Sequence, residues 1–479
     1  MKRIYILLIA VFSLGMGGCN YVDVDPVGKV IPDEVSEYRA LLTTAYSTYP
    51  QYRRYLMVRS DEVFPDLYGL SYDNYIDLAT LNDENPDPLT ETYPWTAMYN
   101  MIFYANTVIE GVMEARADVT TDSREQLLAE AYCLRAFVHF DLINLYAKWY
   151  DPATAATDKA VPLSLKIDIG QSFIPTTVEK VYEQVFADLQ EAEKYMQVEQ
   201  QTGAYLYRFS KKALKAFQAR VYLYHQDWKQ AQETAESLLA ACPLEDLTTT
   251  EAQPWTYTSK EAILALETVS STVMKEDMYV LDNISGKFNQ IKEGDEYVDA
   301  RLGNYLVDKY GTWYCNKGGN KNEKVTFRSA ELWLIAAEAA AHREGQLPAA
   351  KEYLLTLLQK RLAESYYNER KAEIETMNQE QLLADIMEER ARELVFEGHR
   401  WFDLRRYAVC EKYPYSKQIR HAFNVYDGNK YEWDRTDIYV LEKEDPAYVM
   451  QIPKSVLEYD EEQMPENPRN KRSPLGDDE

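Results

Sequence analysis

From residue 123 onward the apolar residues of this chain return every three or four positions through one segment after another, which commits most of it to helices that bury one face against each other. The most informative stretch is 212–243, where Ala219, Tyr222, Ala231, Ala235, Leu238 and Pro243 follow at steps of 3, 9, 4, 3 and 5. Small residues at such positions let two antiparallel helices approach closely, and Asp227 is placed to turn the chain between them. A second copy begins at Arg328: Ala336, Ala337, Ala339 and Ala340 line one helix, Gly345 breaks it, and residues 349–360 form its partner. An earlier helix is expected over 124–149, carrying Ala131, Leu134, Ala136, Phe140 and Leu145, with 178–196 as its partner across a long insert. Helix pairs of this kind stack into a scaffold that offers a concave or edge surface.

Two segments break the pattern. Residues 61–94 are rich in Asp, Tyr and Pro, and residues 248–324 mix Trp255, Tyr257, Tyr279, Trp313 and Tyr314 with Gly and Asn. Long loops inside a compact domain are functional or disordered, and aromatic content argues against disorder. Tyrosine is the compositional outlier, at 39 against 14 Phe; each offers a flat apolar face and a hydroxyl, suited both to helix packing and to stacking on a sugar ring. The spacing in 212–243 matches the tetratricopeptide pattern. The expected fold is therefore all-α, a mainly helical tetratricopeptide-like scaffold with long, irregular, aromatic-rich loop insertions.

The first residues carry an address. Lys2 and Arg3 precede an apolar run from Ile4 to Leu14, too short to span a bilayer but of the length of a signal-peptide core. Met16-Gly17-Gly18-Cys19 follows, and small residues before a Cys at the end of such a core resemble a bacterial lipobox. Residues 1–18 are thus expected to be a lipoprotein signal peptide and Cys19 the lipidated residue, its acyl chains holding the protein stably at a membrane. One domain is expected over 19–479, with 19–36 as a tether and 466–479 as a mobile tail. Cys133, Cys242 and Cys410 read as small core residues, whereas Cys315 lies in a polar loop.

The formal charge of −26 repels polyanions, and no basic run exceeds the scattered Lys317, Lys321, Lys324 and the Arg469–Arg472 stretch, so nucleic acid is excluded as a partner. There is no HExxH, P-loop, GxSxG or Rossmann glycine pattern, and the five His do not pair at ligand spacing. No catalytic residue, metal or cofactor is expected.

Residues 385–406 read DIMEERARELVFEGHRWFDLRR. This string resembles the late motif of SusD/RagB proteins, ER-x-REL-x-FEG-x-RWFDLRR. Further stretches agree in order: Tyr21-Val22-Asp23-Val24-Asp25-Pro26 after Cys19, the Trp95…Tyr99…Ile102…Ala105-Asn106…Ile109 helix, the R-x-AE helix from Arg328 to Glu338, and Gln451-Ile452-Pro453 with Asn467-Pro468. The departures are small; Met16 stands where a lipobox more often has Leu. Within the motif, Glu389, Arg390, Arg392, Glu393, Glu397, His399, Arg400 and Asp403 look like a catalytic cluster, but acidic residues four apart with interleaved Arg are read better as mutual support on a helix, and Gly398 as the residue that permits a turn.

The resemblance implies a non-catalytic outer-membrane lipoprotein, facing the cell exterior, that sits over a SusC-like TonB-dependent transporter and holds a nutrient for import. An oligosaccharide is the first expectation; a RagB-type peptide binder is the alternative, since an acidic, Tyr-rich site suits basic peptides too. A hydrolase on a helical scaffold and a scaffold for protein partners alone rank below both. Sugar rings stack on Trp and Tyr, and their hydroxyls need Asp, Asn or Arg nearby. Residues 66–77 and 313–322 combine those types, as does Trp255 with Tyr257, and the expected ligand contacts are Asp66, Tyr68, Tyr72, Tyr75, Trp313, Tyr314 and Asn316. Trp95 and Tyr99, in a helical stretch, are expected to pack.

Overall fold

The computed structural model describes residues 32–475 except 85, 120–121, 169–173, 250–251, 270, 411–417, 427–431 and 460–463. The expected signal peptide, Cys19 and the Tyr21–Pro26 stretch lie outside the described residues. Helices dominate. In order they are α1 (Val35–Ser47), α2 (Arg53–Arg59), α3 (Tyr72–Thr80), α4 (Thr96–Gly111), α5 (Arg124–Tyr146), α6 (Val178–Tyr195), α7 (Lys211–Tyr224), α8 (Trp228–Leu239), α9 (Ser329–His342), α10 (Leu347–Leu358), α11 (Glu364–Thr376), α12 (Gln379–Glu393) and α13 (Arg400–Ala408), with a few helical turns of four to six residues between or after them.

The expected pairs form. α5 packs on α6, α7 on α8, and α9 on α10, while α8 lies along α9 so that one pair stacks on the next. Asp227 caps α8 by accepting the Gln230 N–H at 3.1 Å, and Gly345 takes the left-handed conformation between α9 and α10 at φ +75°. α5 is buried around almost its whole circumference, which its sequence makes possible because its buried charges are answered: Arg135 donates to Asp188 at 2.6 and 2.8 Å, and Glu130 receives Arg39 at 2.8 and 2.9 Å. Part of the tyrosine excess goes into the interior; Tyr46, Tyr49, Tyr52, Tyr182, Tyr305 and Tyr407 are all core residues. Trp95 is buried with its ring 4.8 Å from that of Tyr146, and the Tyr99 hydroxyl donates to the Pro162 carbonyl at 2.9 Å, so both pack as expected.

The charged string of α12 and α13 is buried and paired. Glu393 receives Arg361 at 2.9 and 3.0 Å, Arg328 at 2.7 Å and Arg301 at 3.3 Å; Glu261 bridges Arg361 and Arg328; Glu397 accepts from Arg328 and from Lys317. Burial alone would raise the Glu393 carboxyl, but Arg361, Arg328 and Arg301 hold it well below the usual range. A parallel chain runs Arg220, Glu331, Arg390, Asp403, Arg406, Glu338. These groups are structural, and Lys317 belongs to them: it is buried beneath Tyr305, 3.7 Å from the ring centroid. Between α12 and α13 the chain turns with Phe396 and Gly398 at φ +64° and +72°. A Cβ on Gly398 would stand 2.4 Å from Cβ of Arg53, so glycine is needed there for space as well as for conformation.

The sheet content is small and sits where the helical pattern failed. β1 (Val63–Pro65), β2 (Met278–Val280), β3 (Leu306–Lys309) and β4 (Thr312–Cys315) form an antiparallel sheet in the order β1-β2-β4-β3, and β5 (Ile419–Tyr426) pairs with β6 (Trp433–Leu441) as a hairpin. Cys315 is buried like Cys133, Cys242 and Cys410, because it closes β4 with its thiol toward the Lys317 carbonyl at 3.1 Å rather than standing in an open polar loop. The tail expected to be free from residue 466 is fastened as far as Leu475: Arg469 donates to Asp83 at 2.7 Å and to the Val449 carbonyl, Arg472 to Asp445 at 2.6 Å, and Leu475 bridges to Ile438.

Candidate functional site

In an antiparallel pair, residues directly opposite share one face of the sheet. Phe64 stands opposite Tyr279, and Tyr279 opposite Tyr314, so three aromatic residues from β1, β2 and β4 form a row across one face. Over this row lies an open cleft of about 800 Å³. Its wall is completed by Tyr72 from the first turn of α3, stacked at 6.3 Å and 28° on Phe423 of β5, and by Trp313 of β4. Phe423 shares the inward face of β5 with Ile419 and His421, while Arg420, Ala422 and Asn424 alternate with them and face outward along the cleft.

The polar groups are set at the rim. Asp66 accepts from the N–H of Tyr68 at 3.0 Å and from the hydroxyl of Tyr314 at 3.4 Å. Asn283 donates its amide to Asp61, which is clasped by Arg400 through two bonds of 2.7 Å, so α13 fixes this part of the rim from behind. His421 ties the hairpin down: its ring nitrogens lie 2.6 Å from the Ala79 carbonyl and 2.7 Å from that of Ser60, and its ring meets Phe64 edge-on at 5.6 Å.

Burial, reinforced by Asp66 and Asp282, pushes the Tyr279 hydroxyl up to about 12, and burial followed by Asp73 drives Tyr72 higher still. Burial and then Asp66 raise Tyr314 as well. These phenols are therefore neutral donors near pH 7. The arrangement can stack a flat, weakly polar ligand on several rings and answer its hydroxyls with phenol, carboxylate, amide and guanidinium groups. Among the described residues no group of three His, Cys, Asp or Glu could hold a metal ion, and no helix is long and apolar enough to cross a membrane.

Of the seven contacts expected from sequence, Asp66, Tyr68, Tyr72, Trp313 and Tyr314 line this one cleft. Tyr75 does not. It lies three residues after Tyr72 on α3 but on the inward side, buried with its ring 6.2 Å from Tyr55. Asn316 also points elsewhere, donating its amide to the carbonyls of Gly303 and Asn304 and so holding the loop after β4. Trp255 is buried at 1 % exposure, edge-on to Tyr305, and Tyr257 faces a different cleft. The expected set lacked Tyr279, Phe423, Arg420 and Asn283. The alternation Ile419, His421, Phe423, Val425 was the available signal for β5, a period of two inside a chain read as helical.

Comparison with known proteins gives one picture. A family model described as starch-binding associating with outer membrane matches residues 20–223, and the model of the SusD family matches residues 215–469. SusD-like protein P38 of Formosa agariphila is 24 % identical over 482 residues, covering 85 % of this chain and 91 % of its own. A putative sugar binding protein from Bacteroides vulgatus superposes with a TM-score of 0.71 at 19 % identity, over 92 % of this chain and 99 % of that one. A laminarin-binding SusD-like protein does so with a TM-score of 0.58 at 19 % identity, over 79 % and 92 %.

Proposed function

The chain belongs to the SusD family, and on that premise we propose that it is a surface lipoprotein of the outer membrane, anchored through Cys19, that captures an oligosaccharide in the Tyr72–Trp313 cleft and passes it unaltered to a SusC-like TonB-dependent transporter. The observation that carries the ligand class is the row Phe64, Tyr279, Tyr314 with Tyr72, Phe423 and Trp313 around it: aromatic residues from five separate segments line one open cleft, with carboxylate, amide and guanidinium groups at its edge. Sugars are bound by that division of labour, the apolar C–H face on the ring and the hydroxyls on the rim. The sugar-binding and laminarin-binding descriptions of the two superposable structures support the same reading. The anchor rests on the Met16-Gly17-Gly18-Cys19 sequence, and the transporter on family membership.

A peptide is the second reading, supported by Asp66 and Asp282 at the cleft, which would suit Lys or Arg side chains. Calorimetry of the protein lacking residues 1–19, against a panel of neutral oligosaccharides and of peptides, separates the two, with product analysis of every mixture. Glycan binding without turnover, lost in Trp313→Ala, is the expected result; binding of basic peptides alone moves the second reading ahead, and appearance of hydrolysis products overturns the non-catalytic assignment.

A further inference from the structure

A second cleft, of about 470 Å³, opens between the C-terminal end of α1, the turn at residues 203–207 and the loop that follows β4. Its apolar side is Leu206 with the ring of Tyr207; its polar side is Tyr257, Lys321 and Lys324. No carboxylate lines it. That is unusual in a chain with 78 acidic residues against 52 basic ones. Many cations elsewhere are matched by a carboxylate, buried ones such as Arg220 with Glu331 at 2.6 Å and Arg301 with Glu393 at 3.3 Å, and exposed ones such as Lys180 with Glu183 and Lys194 with Glu191. Lys321 and Lys324 have none among the described residues, and the Tyr257 hydroxyl likewise lacks a partner there. Gly203, at φ +55° with nothing within 4 Å of where its Cβ would be, leaves the mouth open.

Two ammonium groups three residues apart, left uncompensated beside a phenol and a ring face, suit a ligand that carries a carboxylate on a ring. We propose that this cleft is a second saccharide site, selective for acidic sugars: the uronate carboxylate lies between Lys321 and Lys324, Tyr257 donates to a ring hydroxyl, and the ring packs on Tyr207 and Leu206. The choice of a saccharide rests on the reading of the main cleft; the choice of an anion does not. The same loop, residues 316–322, leaves β4 directly after Trp313 and Tyr314, so the two clefts share one connecting segment. A single chain of sugars with neutral and acidic units would then find different partners at the two places.

The test uses the full mature chain and a tetra-galacturonate as probe, with the carboxyl-reduced tetramer and a tetrapeptide of neutral side chains and free C-terminal carboxylate alongside. Wild type, Lys321→Gln/Lys324→Gln and Trp313→Ala are titrated at low and moderate salt, and thermal melting verifies that both variants fold. Expected are binding of the uronate by wild type, at least a tenfold loss in the double lysine variant and on raising the salt, no loss in Trp313→Ala, and no such lysine-dependent binding of the reduced tetramer. Absence of uronate binding, binding indifferent to the lysines, loss in Trp313→Ala instead, or lysine-dependent binding of the peptide alone would each overturn the proposal. Failure of the main cleft as a glycan site is read separately, from neutral oligosaccharides and Trp313→Ala.

Discussion

The α12–α13 ion lattice and the aromatic cleft both carry carboxylate and guanidinium groups, yet they differ in whether those groups are answered. In the lattice, Glu393, Glu397 and Glu331 each meet at least two cations and lie almost wholly out of water. In the cleft, the faces of Tyr72, Trp313 and Tyr314 are half-exposed and Arg420 and Asn424 stand at the open edge. Charge density alone therefore points to the wrong place. A buried pair is costly to desolvate and costly to break, so a saturated cluster is a fastening, while available groups around a cavity are free to take a ligand.

The comparison breaks most visibly at Glu393. Its replacement by alanine leaves Arg361, Arg328 and Arg301 crowded without their shared carboxylate, and a loss of about 3–5 kcal/mol is expected in chemical denaturation; a loss below about 1 kcal/mol would mean the lattice stabilises nothing. Next comes pH. Burial, followed by Arg135, depresses His139 from 6.5 to about 3. A folded value below the unfolded one means that protonation favours the unfolded chain, so this contribution is intact above pH 6.5 and lost as the pH falls toward 3, at about 1.4 kcal/mol per pH unit. Glu62, raised to about 7 by burial, acts in the opposite sense between 4.5 and 7, so a His139→Asn variant compared with wild type isolates the histidine slope. Denaturation midpoints from pH 7 to 5 should fall less in the variant; parallel curves would remove His139 from the account.

At the cleft the effect moves from stability to affinity. Trp313→Ala is expected to weaken glycan binding about tenfold, ~1.4 kcal/mol, with the melting temperature nearly unchanged; a large fall in melting temperature with unaltered affinity would place Trp313 with the lattice instead. The smallest effect is at the exposed pair Lys180–Glu183, 3.2 Å apart, where alanine at Lys180 should cost less than about 0.5 kcal/mol by the same denaturation assay.

Much of this was legible in the residues. The helix pairs announced themselves because the small positions Ala219, Ala231 and Ala235 are fixed by close helix approach, a local demand that leaves a fixed spacing. The paired character of the late motif followed from opposite charges at helical spacing, although its partners Arg301, Arg328 and Arg361 come from distant segments that spacing cannot relate. The cleft was half readable: aromatic loops mark it, but which side of α3 faces inward depends on tertiary packing, so Tyr72 and Tyr75 could not be told apart. Phe423 was out of reach for a different reason. It joins the site only through the hairpin laid beside β1, a contact between residues more than three hundred positions apart.

That separation has a consequence for the order of assembly. Arg53 approaches Gly398, Asp61 holds Arg400, and the Phe396 N–H reaches Glu62 at 2.8 Å, so α2 and the segment after it are locked by residues near position 400. A ribosome has released α2 long before its last partners are made. The nascent N-terminal part must therefore wait, with its charges still hydrated, and the native topology closes only after almost the whole chain has been synthesised.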